Sequence, residues 1–420
     1  MSLTPRTRMR CGALALASIA LVAGACSDDS ASTDEPGDST ETTIDAAATL
    51  GEKNPATGEP LKVGYVYDGT TDAVDNSEDI AAAEAATEYV NEYLGGIGGR
   101  TLELEVCSTD QTPAGAGACV TQFASAGVPV VLNGVTGQAG SLYEPLDQVG
   151  IPVLVTAADP RDATADILTN GVVALAAGPA KVFAHDGVER ATVIGIDVPA
   201  ASATLKQSMP LFYDNAGVEV DVVLIPPDTA DMTPNIQAAL TKDPGGMTVV
   251  GDPLFCTKAM SAIANTGFDG TLVVIPQCID ESFIESTTNL DGAVMLTTAT
   301  SDPDSEQYQQ YQAVMQTFAG EDAVLGGTAP QSYQVVLAFA RAMEGVTGEV
   351  TPEVVREALT AMPLTELPLG DGIMFQCNGQ QVAITPNICS KDVLQTTLNA
   401  DGEPGEFTLL EGGDLLDLGG

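Results

Sequence analysis

Apolar positions along the chain switch repeatedly between two spacings. LKVGYVYD (61–68) is a short β-rich run, and SEDIAAAEAATEYVNEYL (77–94) follows with Ile80, Ala83, Ala86, Val90 and Leu94 at helical intervals. GGIGGR (95–100) ends that helix, and TLELEVCSTD (101–110) returns with period-two alternation. GAGACVTQFASAG (115–127) then predicts a helix, VPVVLNG (128–134) a buried strand, GSLYEPLDQVG (140–150) a helix and IPVLVTAAD (151–159) a strand. Near-continuous Val/Ile/Leu strands alternating with helices predict a parallel sheet covered on both faces.

A second series follows. A helix reaching Gly187 leads to strand ATVIGIDV (191–198), helix ATLKQSMPLFYDNAG (203–217), strand VEVDVVLIP (218–226) and helix NIQAALTK (235–242). MTVVGD (247–252), LFCTKAMSAIANTG (254–267) and TLVVIP (271–276) continue it as strand, helix and strand, giving a second α/β domain. Residues 305–320, 329–346 and 351–362 carry three helical apolar stripes. IMFQCNGQQVAITPNIC (373–389) predicts a hairpin or strand pair stapled by its two cysteines, with a last β segment near EFTLL (406–410).

The first 60 residues have neither pattern. Arg6, Arg8 and Arg10 precede the apolar run GALALASIALVAGA (12–25), the length of a signal h-region and short for a membrane span. Ala23-Gly24-Ala25-Cys26 then resembles a bacterial lipobox, although Ala23 stands where Leu is more usual. Residues 1–25 are therefore expected to be a signal peptide and Cys26 a lipidated anchor, because two or three acyl chains hold a protein at a membrane where one does not. Residues 26–60, rich in Ser, Thr, Asp, Pro and Gly, bury too little to offset their ordering entropy and are expected to form a disordered acidic linker.

Export changes the reading of the cysteines. Of eight, Cys11 leaves with the signal and Cys26 takes lipid, and the other six fall into sequence-local pairs: Cys107 with Cys119, Cys256 with Cys278, and Cys377 with Cys389. Fifteen connectivities are open, and the local one is expected, each bridge contributing about 3 kcal/mol through loop closure. A metal site finds no CxxC spacing, and His185, the only histidine, belongs to no such cluster.

Charge narrows the partners. With 58 acidic against 15 basic residues the formal net charge is −43. Such a chain repels phosphate backbones and anionic headgroups, so nucleic acid is excluded as a partner. GGIGGR follows a helix instead of opening one, so its glycines serve a helix end and a turn and do not cradle phosphate. Asp302, Asp304 and Glu306 lack the spacing and glycine of a calcium loop and are expected to favour a helix N-terminus. A hydrolase finds no G-x-S-x-G elbow and only His185 as an imidazole base. No cofactor and no catalytic residue are expected.

The succession of an opening strand, YVNEYLGGIGGRTLELEVCSTD, VPVVLNG and GIPVLVTAADP, then ATVIGID, VVGDPLFCTKAMSAIANTGFDG and APQSYQVVLAFARAM, resembles the leucine/isoleucine/valine-binding protein family. These are type I periplasmic binding proteins of ABC importers. The resemblance covers roughly residues 61–410 in order, and it is carried by the succession, not by one diagnostic motif. It implies two Rossmann-like lobes with parallel sheets, a ligand cleft between them and three chain crossings. Lobe one is placed at 61–180 plus 299–368 and lobe two at 181–298 plus 369–420. It further implies a monomer that closes on a small molecule and delivers it to an ABC transporter permease, or, as the alternative, reports occupancy to a membrane signalling partner. An amino acid or related polar solute is the implied ligand, and the outer face of the cell membrane the implied location.

Ligands of open parallel sheets bind beyond the carboxyl ends of the strands. That rule selects Asp68, Gly69, Thr136, Gly137, Gln138, Ala157 and Asp159 in lobe one, and Asp197, Asp252 and Gln277 in lobe two. The family holds an α-carboxylate at a Ser/Thr-rich turn, here Thr136-Gly137-Gln138, and an ammonium with a carbonyl near Ala157, a hydroxyl and an acid. Asp159 and Gln277 depart from the last two, and the aromatic residues usual near Ala201 and Asp252 are absent. Four strand-end aspartates suit a cationic or polyhydroxylated ligand, although composition alone makes solvated or capping roles common here.

Overall fold

Strand β1 (Gly58–Tyr67) buries Leu61, Val63 and Tyr65 on one face and Val66 on the other, so the sheet it belongs to is covered on both sides. The computed structural model describes residues 46–70, 76–158, 164–169, 176–251, 253–275, 278–279, 290–382 and 385–412. The signal, lipobox and Cys26 lie outside them, as do Asp159, Asp252 and Gln277.

After the short α1 (Ala46–Leu50), β1 pairs with β2 (Arg100–Ser108) and β3 (Val131–Asn133), and β3 leads on to β4 (Val153–Val155) and β5 (Ala165–Ile167). The order is β2-β1-β3-β4-β5, parallel throughout. Helix α2 (Ser77–Tyr93) covers one face with Ala82, Ala86 and Val90. Helices α3 (Pro113–Ala126) and α4 (Ala139–Gln148) cover the other with Phe123, Leu142 and Leu146. The ends of α3 are written in its sequence: the Thr112 hydroxyl accepts the Gly115 N–H at 3.0 Å, Pro113 opens the first turn, and Gly127 closes the helix at φ 65°.

The second sheet winds the same way. β6 (Arg190–Ile196), β7 (Glu219–Ile225), β8 (Gly246–Val250), β9 (Thr271–Val274) and β10 (Val294–Thr297) are parallel, in the order β7-β6-β8-β9-β10. Helices α5 (Gly178–His185), α6 (Pro199–Ala216), α7 (Thr233–Leu240) and α8 (Pro253–Thr266) accompany them. The chain then returns to the first sheet as α9 (Glu306–Phe318), α10 (Ala329–Ala342) and α11 (Pro352–Ala361), with α10 packed on α2, β3 and β4. Ser305 caps α9, accepting the Tyr308 N–H, and Glu306 occupies its first turn. After the two-residue strands β11 (Thr365–Glu366) and β12 (Met374–Phe375), the chain crosses back, and β13 (Val393–Thr397) and β14 (Thr408–Leu410) extend the second sheet antiparallel beyond β10.

The protein is thus mixed α/β with two lobes, between which the chain passes three times. The second and third passages run side by side, the Thr300 N–H donating to the Leu369 carbonyl at 2.8 Å. The buried Gln334 of α10 holds both, its amide nitrogen donating to Thr298 O at 2.8 Å and Pro368 O at 3.0 Å.

Among the described residues, 373–389 do not form the expected hairpin or strand pair. β12 pairs backwards with β11, while Ile388 pairs with Ile167 of β5. The outer edge of β5 needs partners for its backbone groups: the Ile167 N–H donates to Asn387 O and the Cys389 N–H to Ile167 O, both at 2.8 Å. The sulfurs are joined as Cys107–Cys119, Cys256–Cys278 and Cys377–Cys389, with Cα separations of 5.6, 5.1 and 4.3 Å.

Candidate functional site

Each sheet reverses its strand order once, between β1 and β3 in the first and between β6 and β8 in the second. The loops leaving such neighbours diverge to opposite faces and leave a crevice at the strand ends. Asp68 follows β1 and Asp197 follows β6, so these two of the sequence-selected residues stand at the reversals.

At the first, Asp68 binds the neighbouring loops together. One carboxylate oxygen accepts the hydroxyls of Thr109 at 2.8 Å and Thr136 at 2.6 Å, and the other accepts the Gly137 N–H at 2.8 Å. Thr136 Oγ1 also accepts the Gln138 N–H at 3.0 Å, and Gln138 Nε2 donates to Gln111 O at 3.2 Å. Gly69 sits at φ 74°, where a Cβ would lie 2.0 Å from Ser108 Oγ, so only glycine lets the β1 loop pass the end of β2. Asp110 and Gln111 adopt φ 49° and 55°, the left-handed region that side chains disfavour. Beneath them Asn133, fully buried, donates to Val66 O at 2.8 Å and accepts the Tyr143 hydroxyl at 2.8 Å.

Ala157, half-buried, donates its N–H to Gly134 O at 3.2 Å. Its neighbour Thr156 donates its hydroxyl to Gln331 O at 2.6 Å, tying β4 to the start of α10. The Nε2 of Gln111 and the Oε1 of Gln331 are enclosed without a hydrogen-bond partner in the protein.

The pattern of the sequence did not single out the residues at the start of α2 and α10. Asp79, 2% exposed, accepts the Ser332 hydroxyl at 3.2 Å, and Thr328 donates to Glu78 at 3.3 Å. Burial pushes the Asp79 carboxyl up to about 6, against the opposing effect of hydrogen bonds from Thr328 and Ser332. Asp79 had one signal, its place in the first turn of the helix after β1. Ser332 had none, since the return of α10 to this lobe is a tertiary fact.

At the second reversal, Asp197 is exposed. Its N–H donates to Ile225 O at 2.8 Å and its carboxylate accepts the Ser202 hydroxyl at 2.7 Å. His185 lies away from both, at the end of α5 where β6 begins, 3.1 Å from Asp186 and with its side chain 88% exposed. Among the described residues no group of three or more His, Cys, Asp and Glu is arranged to hold a metal ion.

Two sheets of like winding, each with a polar loop at its reversal and linked by three passages, define a class of two-lobed binding protein. The chain belongs to the periplasmic binding protein family, whose profile matches residues 60–386. None of the curated proteins matches it significantly in sequence. Among solved structures it is similar to the leucine-, isoleucine-, valine-, threonine- and alanine-binding protein of Brucella ovis in its closed conformation, with TM-score 0.73, 14% identity, and 86% of this chain and 97% of that one covered. It is also similar to an ABC transporter substrate-binding protein from Sphaerobacter thermophilus, with TM-score 0.69, 19% identity, and 85% and 100% covered. A third is the solute-binding protein of an R. palustris ABC transporter in complex with 4-hydroxybenzoate, with TM-score 0.68, 16% identity, and 84% and 98% covered.

Proposed function

We propose that this protein is the extracytoplasmic solute-capturing component of an ABC importer, held at the outer face of the membrane through lipidated Cys26. It closes its lobes, 61–180 plus 299–368 and 181–298 plus 369–420, on a small polar molecule and transforms nothing. The observation that carries this reading is the matched pair of strand-order reversals on two lobes of a periplasmic binding protein, each ending in a polar loop. The three cysteine pairs suit an oxidising compartment.

In this reading the Thr136-Gly137-Gln138 turn and Ala157, with Asp159, form one wall, and Asp197, Asp252 and Gln277 the other. Asp68 and Gly69 shape the first wall, Asp68 through its three accepted hydrogen bonds. The amide atoms of Gln111 and Gln331, one donor and one acceptor without partners, suit a solute carrying both an acceptor and a donor, such as an amino acid or its amide. Closure is driven by contacts made only when both walls touch the solute. The test is a thermal-shift screen of amino acids, amides, polyamines and small acids, with X-ray scattering on each hit. A stabilising compound that also lowers the radius of gyration is expected, and a panel with neither effect overturns the proposal.

A further inference from the structure

At the opposite end of the first sheet, residues 54–57, the end of α2, the Gly95–Gly99 turn and the last turn of α10 surround a cavity of about 640 Å³. That volume is within the range of about 300–1,000 Å³ usual for small-molecule sites. The ten residues of β1 separate it from the Asp68 loop by roughly 30 Å at about 3.3 Å per residue. It is therefore no part of the interlobe site.

Its polar wall holds an incompletely neutralised cation. Arg341 lines the cavity and donates to the Glu366 carbonyl, and among the described residues it makes no ion pair. Burial depresses the pKa of this guanidinium, against the opposing effects of Tyr333 and of the Glu366 and Glu344 carboxylates, neither of which forms an ion pair with it among the described residues. Beside it, the Tyr89 hydroxyl accepts the Gln310 amide N–H at 2.6 Å, which leaves its own proton to donate. The Tyr333 hydroxyl, 1% exposed and without a partner, is close enough to interact electrostatically with both Tyr89 and Arg341. Leu94 and Leu337 supply apolar wall, and Glu344 stands exposed among the lining residues, where it acts on Arg341 least of these neighbours.

A planar guanidinium with donors to spare matches a carboxylate, and the leucines match a short apolar body. We propose that this cavity is a second small-molecule site, separate from the interlobe site, for a monocarboxylate with a short apolar body, its carboxylate held by Arg341 and the Tyr89 hydroxyl.

The chain has no tryptophan, so Leu94→Trp places a single reporter at the cavity wall. Titration of the full-length L94W protein with benzoate should change its emission saturably, and the uncharged benzamide should bind at least about tenfold more weakly, as loss of a charge-assisted contact implies. L94W/R341M, checked for folding by circular dichroism, should lose affinity for benzoate by a similar factor, with L94W/R341K between the two because lysine keeps the charge and loses the fork. A response that stays linear to about 50 mM benzoate, or equal midpoints for benzoate and benzamide, overturns the proposal. So does an unchanged benzoate midpoint in folded L94W/R341M. If R341M does not fold, the benzoate and benzamide midpoints in L94W decide alone.

Discussion

The two strand-order reversals share a winding and differ in finish. At the first, Asp68 draws the loops after β1, β2 and β3 together through three hydrogen bonds, and Asp79, Ser332 and Thr156 tie in α2 and α10. At the second, among the described residues, the Asp197 carboxylate holds only Ser202 and stands exposed. A wall joined by charge-assisted hydrogen bonds is ordered when the protein folds, so little ordering cost is left for the moment of binding. Among the described residues, the second is less tied. On the proposed reading, this difference makes the first lobe the source of the preformed surface.

Asp68→Ala tests this most severely. It leaves the Thr109 and Thr136 hydroxyls and the Gly137 N–H without their acceptor, and should cost about 3 kcal/mol in urea unfolding and lower the affinity for any solute found by the screen at least about tenfold. A loss below about 1 kcal/mol would show that the loops hold without it.

Asp79→Asn sharpens the comparison through pH. With its carboxyl raised to about 6 from an ordinary 3.8, the native state binds this proton more tightly than the unfolded chain. The stabilisation is complete below about 3.8 and is lost as pH rises through about 6. Asparagine removes that loss, so the variant should exceed the wild type by up to about 3 kcal/mol at pH 8 and match it near pH 4 in thermal melts. A difference independent of pH would place the carboxyl in ordinary solvent.

Asp197→Ala should cost less than about 1 kcal/mol, since it removes one exposed hydrogen bond. A loss equal to that of Asp68→Ala would erase the contrast between the walls. His185→Ala should change neither melting nor solute affinity, within about 0.5 kcal/mol, given its exposure at the far end of β6.

Much of this architecture is legible in the chain because Val/Ile/Leu strands and amphipathic helices leave different spacings. Short pieces are not. β5 is three residues with Asp166 in the middle, too brief to show a period, and β10 and β13 likewise escaped the pattern. The supposed hairpin at 373–389 misled because two cysteines and a turn also suit a loop that lends one residue to a distant strand. At the site, the strand-end rule selects Asp68 and Thr136 as candidate ligand contacts, and it does not foretell that Asp68 holds Thr136. The Asp79–Ser332 contact spans 253 residues and exists only because the chain crosses back before α9. No local signal encodes such a contact.

The loop closed by Cys377 and Cys389 has a consequence for life in company. By pairing Ile388 with Ile167 it occupies the outer margin of β5, where unmet amides would otherwise recruit a strand from a neighbour. A covalently fastened flap over that margin keeps encounters between copies of the chain from seeding aggregates.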